Sequence, residues 1–105
     1  MFENEITETH LDELKERLHI THRSEDERLK RMIRESHLDV QSKTGPFDLD
    51  EYTRGRELVY ERCRYSYNDA VEYFDDNFTS QLLSVGLELY ETSVLEEVAP
   101  GETSL

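Results

Sequence analysis

The sequence has one cysteine, two prolines and four glycines, and no Lys or Arg beyond Arg64. A lone cysteine excludes an internal disulfide, so packing has to hold the fold; Cys63 falls on an apolar helical stripe, where a thiol behaves as a small hydrophobe. No proline lies between Phe47 and Ala99, which leaves that half of the chain free to be helical. No apolar run approaches the roughly 20 residues that cross a bilayer. The opening MFENEITET has neither a basic n-region nor an apolar h-region, so the chain reads as one that acts in the cytoplasm with no membrane partner. There is no phosphate-cradling Gly loop and no G-x-S-x-G turn, so catalysis has no visible foothold and no cofactor is expected.

Acid is what the chain has in excess. Asp and Glu number 25 against 12 Lys and Arg, a net charge of −13 in 105 residues. Charge of that sign and size repels nucleic acid and makes direct DNA binding a poor reading. It is also unevenly spread: Asp69, Glu72, Asp75, Asp76, Glu88, Glu91, Glu96, Glu97 and Glu102 all follow the last basic residue, making the C-terminal end a negative pole. Arg outnumbers Lys, which fits either ordinary surface solvation or a high-salt cytoplasm. With 35% hydrophobic residues the chain supports one domain around a modest core.

Apolar periodicity is helical throughout. Thr7 or Thr9 can cap a short first helix with Leu11, Leu14 and Leu18 on one stripe. Ser24 followed by Glu27 has capping-box spacing and opens a second helix carrying Leu29, Met32, Ile33, His37 and Val40, with Arg28, Lys30, Arg31, Arg34 and Glu35 outward. Thr44-Gly45-Pro46 stops it. From about Asp50 the positions Tyr52, Gly55, Val59, Cys63, Tyr67, Ala70 and Phe74 follow one face, predicting a helix of about seven turns capped by Asp48 or Asp50. Asp75-Asp76-Asn77 closes or kinks it, and Phe78, Leu82, Leu83, Val85, Leu87 and Leu89 form a last helix. The expected fold is all-α, a small bundle of three to four helices organised around one long helix (about 50–75). A helical domain over 1–91 is then followed by an acidic tail, 92–105, disordered alone.

Metal and acid–base chemistry have weak signals. His10, His19, His22 and His37 include one zinc-like spacing, His19 with His22, but no Cys pair accompanies it. Asp48 and Asp50 resemble the start of a calcium loop, yet Thr53 stands where the turn needs Gly. Glu72, Asp75 and Asp76 read as solvated helix-end acids. The alternation of Arg54, Arg56, Arg62 and Arg64 with Glu51, Glu57 and Glu61 allows two readings: intrahelical pairs, or bidentate pairing with another chain.

Residues 62–74 (R-x-R-Y-x-Y-N-D-A-x-E-Y-F) and 78–89 (F-x-S-x-L-x-S-x-G-L-E-L), together with the Leu18-x-Ile20 end of the first helix and Ser24-Glu-Asp-Glu at the second, resemble the head–tail connector, or adaptor, proteins of tailed bacteriophages. The resemblance spans about 6–91. It implies a structural subunit, not an enzyme, that assembles as a twelve-membered ring beneath the portal protein in the virion neck. Such a ring extends the DNA channel and receives the next neck or tail-completion protein. The departure from the family is the strong acidity with few Lys, which bears on the host more than on the fold. An acidic channel wall would let DNA slide without sticking.

On this reading the flank of Arg54, Arg56, Tyr60, Arg62 and Arg64 meets Asp69, Glu72, Asp75 or Asp76 of a neighbour in the ring. Val94, Leu95 and Val98 would anchor the tail on a partner ring. The alternative is a small acidic binding module, such as a DNA mimic occupying a nucleic-acid-binding host protein. A mimic needs acids spread over a whole surface; a ring subunit needs leftover apolar surface, for which Tyr60, Tyr65 and Tyr73 are the candidates.

Overall fold

The computed structural model describes residues 1–97, apart from the side chain of Glu97. Its helices are α1 (Glu8–Leu18), α2 (Asp26–Thr44), α3 (Thr53–Tyr67), α4 (Phe74–Asn77) and α5 (Thr79–Glu97), with a 3₁₀ turn at Val71–Tyr73 before α4. No strand occurs among the described residues, so the all-α class holds.

The hub is α2 rather than a long helix at 50–75: α2 packs against α1, α3 and α5. The reason is a break after Tyr67. Asp69 takes a left-handed φ of 56°, and the amides of Ala70 and Asp69 turn back to the carbonyls of Tyr65 (2.8 Å) and Ser66 (3.2 Å). That is a Schellman motif, usually built on Gly, here on an Asp that tolerates the left-handed region. The same motif ends α1: His19 has φ 59°, and the amides of Ile20 and His19 reach the carbonyls of Lys15 (2.9 Å) and Glu16 (3.2 Å). Without a glycine to mark it, the stop after Tyr67 is easily read through, whereas the end of α1 at Leu18 falls where the sequence places it. Gly45, at φ 97° and followed by Pro46, ends α2 where the sequence places the end.

The helix starts differ from expectation in two of three cases. Thr7 caps α1, accepting from the His10 amide, while His10 Nδ1 accepts from the Thr7 amide at 3.0 Å. Ser24 does not cap α2, which begins one residue later with Glu25 at the cap position and no side-chain cap. Its hydroxyl sits 2.9 Å from His22 Nδ1 instead. Neither does Asp48 or Asp50 cap α3. Asp48 accepts from the amides of Asp50 and Glu51 in a turn preceding it, and Tyr52 holds the cap position without a side-chain bond.

Leu11, Leu14, Leu29, Met32, Ile33, Val40, Val59, Cys63 and Phe74 are buried as the stripes predict, whereas Leu18, Tyr67 and Ala70 are only partly covered. The core also takes in Ile6, Phe47, Leu49, Leu58, Tyr60, Leu82 and Val85. The first residues pack onto the domain. Gln41, buried in α2, accepts from the amides of Phe2 (3.0 Å) and Phe47 (3.1 Å) and donates to the Phe2 carbonyl (2.9 Å), while Asn4 accepts from the Leu49 amide at 3.0 Å. The N-terminus and the 46–52 segment are thereby strapped side by side across α2. Phe47 then fills the space over Gly55, flanked by the rings of His37 (5.0 Å) and Tyr52 (5.7 Å).

Two backbone positions give opposite expected outcomes in chemical denaturation. A Cβ at Gly55 would sit 2.5 Å from the Phe47 ring, which its neighbours hold in place. Gly55→Ala should therefore destabilise by about 1–3 kcal/mol despite the better helix propensity of Ala, and Phe47→Leu in the same chain should recover part of the loss. Asp69→Gly removes a left-handed strain and should stabilise by about 0.5–1 kcal/mol. An Asp69→Gly chain less stable than the parent would show that the break is not conformationally strained.

Candidate interaction surface

Helix α5 has two apolar faces where a peripheral helix needs one. Leu82 and Val85 are buried, Leu89 is partly covered, and Gly86 lets the helix approach the backbone at Thr44 to 3.6 Å from an added Cβ. About a third of a turn away, Leu83, Leu87, Tyr90 and Val94 repeat at 4-3-4 spacing, and all four are exposed, Leu83 at 69% and Tyr90 at 67%. Tyr90 also edges a shallow cleft formed with Thr44, Gly45 and Pro46. Leu95, 73% exposed, lies beside the stripe's far end. Isolated exposed apolar residues need no explanation, but a periodic row marks an interaction face.

The stripe's orientation is fixed from α3. Arg54 donates to Glu88 (2.9 Å) and Ser84 (2.9 Å), and the Tyr52 hydroxyl donates to Glu88 as well. The Tyr52 bond, followed by the Arg54 guanidinium, holds the Glu88 carboxyl below its ordinary range, while burial and then Glu88 push the Tyr52 phenol up to about 12. At the other end of α5, Phe74 stacks on Phe78 at 4.8 Å, with the Tyr65 ring edge-on to both. Rolling α5 to bury its outer stripe would break these contacts and expose Leu82 and Val85 in exchange.

The sequence placed the contact surface elsewhere, on the arginines of α3. Each of those has a partner within the chain. Arg54 pairs as above, and Arg56 donates to the carbonyls of Leu49 (3.1 Å) and Asp50 (2.9 Å). Arg62 meets Asp39 (2.9 Å) and Ser36 (3.1 Å), and Arg64 meets Glu61 (2.9 Å). Only the Arg64–Glu61 contact is the intrahelical pair expected, since Glu57 turns to Arg17. Tyr60 is a correction: it is 1% exposed, under the Arg17 guanidinium and donating to Glu13 at 3.1 Å, so it offers no free aromatic flank. Tyr65 is partly covered and Tyr73 exposed. Among the acids, Asp75 pairs with Lys43, and Asp69, Glu72 and Asp76 are exposed.

The tail boundary also moves. Residues 92–97 continue α5, because the 4-3-4 spacing runs on through Val94 and no proline intervenes before Pro100. Val94 and Leu95 thus stand on a helix rather than in an extended segment; Val98 and the rest of 98–105 lie outside the described residues.

One surface had little sequence signal. Arg31 and Arg34 are exposed and carry no ion pair among the described residues, and Arg34 shares a cleft with Phe2 and Leu38, both exposed. A leucine at 38 among outward positions of α2 was the one available hint. Two of the histidines serve the frame: His10, 1% exposed, bridges Thr7 to Asp50 (2.5 Å), and His37 lies 3.0 Å from the Phe47 carbonyl, while His19 and His22 are exposed. No cluster of three or more metal-ligating side chains occurs among the described residues, and no helix among them is long and apolar enough to cross a membrane.

The molecule is, at this level, an all-α domain with one helix left half-covered. Comparison with protein-family models, curated proteins and solved structures finds no match to this chain.

Burial holds the His37 imidazole below its ordinary 6.5, partly offset by the bond to the Phe47 carbonyl. The unfolded chain then binds the proton more readily, so the contribution is intact above about pH 6.5 and is lost as pH falls through the depressed folded value. Glu25, Glu61 and Glu88, held below their ordinary 4.5 by the Tyr67 hydroxyl, Arg64 and the Tyr52 hydroxyl respectively, add a separate loss below that pH. His37→Gln, which keeps a donor for the carbonyl, should flatten the first limb of a stability–pH curve and leave the acidic limb; an unchanged slope between pH 7 and 5 would remove His37 as its source.

Proposed function

We propose that this protein is a structural subunit of a virion neck, which assembles as a ring beneath the portal, extends the DNA channel and receives the next neck or tail-completion protein. The observation that carries the reading is the exposed Leu83, Leu87, Tyr90 and Val94 row, on the outer side of a helix whose Leu82 and Val85 are already buried against the domain. A ring subunit needs that kind of surface left over before assembly. The resemblance over 62–89 adds the identity of the ring, and a copy number near twelve comes from that resemblance alone. The chain's net charge of −13 suits a channel through which DNA passes without specific binding.

The acidic-mimic alternative keeps the support of exposed acids without an ion pair among the described residues, such as Glu3, Glu27, Glu35, Asp69, Glu72, Asp76 and Glu91, and the exposed Leu83, Leu87, Tyr90 and Val94 row, for which a mimic has no use, is what favours the ring.

Electron microscopy of the full chain, alone and with the portal protein of the same virus, tests the function. The expected result is a closed ring with an axial channel, seated on the portal. A chain that stays monomeric in both samples and leaves the portal bare would overturn it.

A further inference from the structure

We propose that, before the ring forms, the outer row of α5 is covered by the same row of a second copy, in an antiparallel two-fold pair that has to separate for assembly. The inference rests on the ring reading and concerns how its contact surface is kept until use.

Spacing and charge choose the occupant. Leu83, Leu87, Tyr90 and Val94 repeat at 4-3-4, the spacing of a two-helix seam, so in an antiparallel pair Leu83 meets Val94 of the second copy and Leu87 meets its Tyr90. The positions that flank such a seam are Ser84 and Glu91 on one side and Gly86 and Ser93 on the other, small and, Glu91 apart, uncharged. No charged residue lies between Asp76 and Glu88, in a chain of which 35% is charged. Of the other charged groups near the row, Glu88 is paired with Arg54 and Lys43 with Asp75, Asp76 precedes the row in α4, and Glu96 edges the inner cleft beside Phe47 and Leu89. A basic partner therefore finds a single free carboxylate, Glu91, and an acidic partner finds no cation. A neutral apolar helix fits, and α5 is itself one.

The direction follows from the distribution of charge along the helix. Its N-terminal half is the uncharged one, whereas Glu91 and Glu96 lie in the C-terminal half. Parallel helices would bring the two acidic halves together; antiparallel ones set each beside the other's uncharged half and oppose the helix dipoles favourably. Every position from Tyr90 to Glu96 is exposed, so the far half of α5 is open to a second helix. Four side chains from each copy make up only part of the roughly 800 Å² per partner of a standard interface, which makes the pair transient, as a contact that must open requires. A two-fold pair also closes at two copies and cannot itself build a ring.

Two copies of net charge −13 repel each other, so an apolar seam between them strengthens as salt screens the repulsion. Sedimentation of the full-length protein should show a monomer–dimer equilibrium that tightens as salt is raised. Leu87→Glu, at a position 60% exposed and so outside the core, should weaken it by roughly tenfold or more. Leu83→Cys and Val94→Cys report the direction, because the native Cys63 is buried and its thiol pushed up to about 12 by that burial, keeping it silent. Under mild oxidation a mixture of the two single variants should give dimers, and the chain carrying both cysteines should stop at doubly linked dimers. Each single variant alone should stay mainly monomeric, since like positions lie about 16 Å apart along an antiparallel pair. Single variants that cross-link by themselves would make the pair parallel, and a ladder from the double variant would make the contact head-to-tail; either result overturns the proposal. So does a monomer at every salt concentration, which leaves the row to a different protein. The doubly linked dimer should fail to form rings on the portal until it is reduced, and rings from the linked form would overturn the masking. Rings from a chain that never dimerises refute the pair and not the neck; a salt-strengthened dimer that never seats on a portal refutes the neck assignment and not the pair.

Discussion

The carboxamide of Gln41 is the contact on which the arrangement of the chain depends. Buried at 2% exposure, it has donors and an acceptor to satisfy, and it does so with the backbone of Phe2 and Phe47, segments 39 and 6 residues away. Leaving one such group unpaired in the interior costs about 1–3 kcal/mol. Both straps are therefore pinned to α2 together. Phe47 in turn sits over Gly55 and sets how closely α3 approaches, and His10 and His37 tie the same strap to α1 and α2. A domain this size has little apolar area to spend on specificity, and buried polar pairs with a single satisfying geometry supply it.

Electrostatics divides the molecule into two kinds of surface. Around α3 nearly every cation is used: Arg17, Arg54, Arg62 and Arg64 hold carboxylates, and Arg56 holds carbonyls. Exposed pairs of this kind contribute little stability each. Their consequence is geometric, since Arg54 and Tyr52 together fix the roll of α5 through Glu88. Away from α3 the balance is undone. Helix α5 presents an exposed apolar row and no cation, and on the outer face of α2 Arg31 and Arg34 stand among Glu27 and Glu35 without an ion pair among the described residues.

The sequence by itself determined the helical class, the stripes of α1 and α2, the stop at Gly45-Pro46 and the negative C-terminal end. These follow from 3.6-residue periodicity, from proline and glycine stereochemistry and from charge count, which are local or additive properties. The Asn68-Asp69 break was within reach, as an Asp can hold a left-handed cap, but a stripe that continued in register to Phe74 hid it. What only the tertiary structure decided is which stripe is covered. Tyr60 reads like a surface tyrosine until Glu13 and Arg17 close over it, and Leu83 and Leu87 read like core until Arg54 holds α5 the other way. Burial depends on what another segment does dozens of residues away, and periodicity within one helix carries no record of that choice.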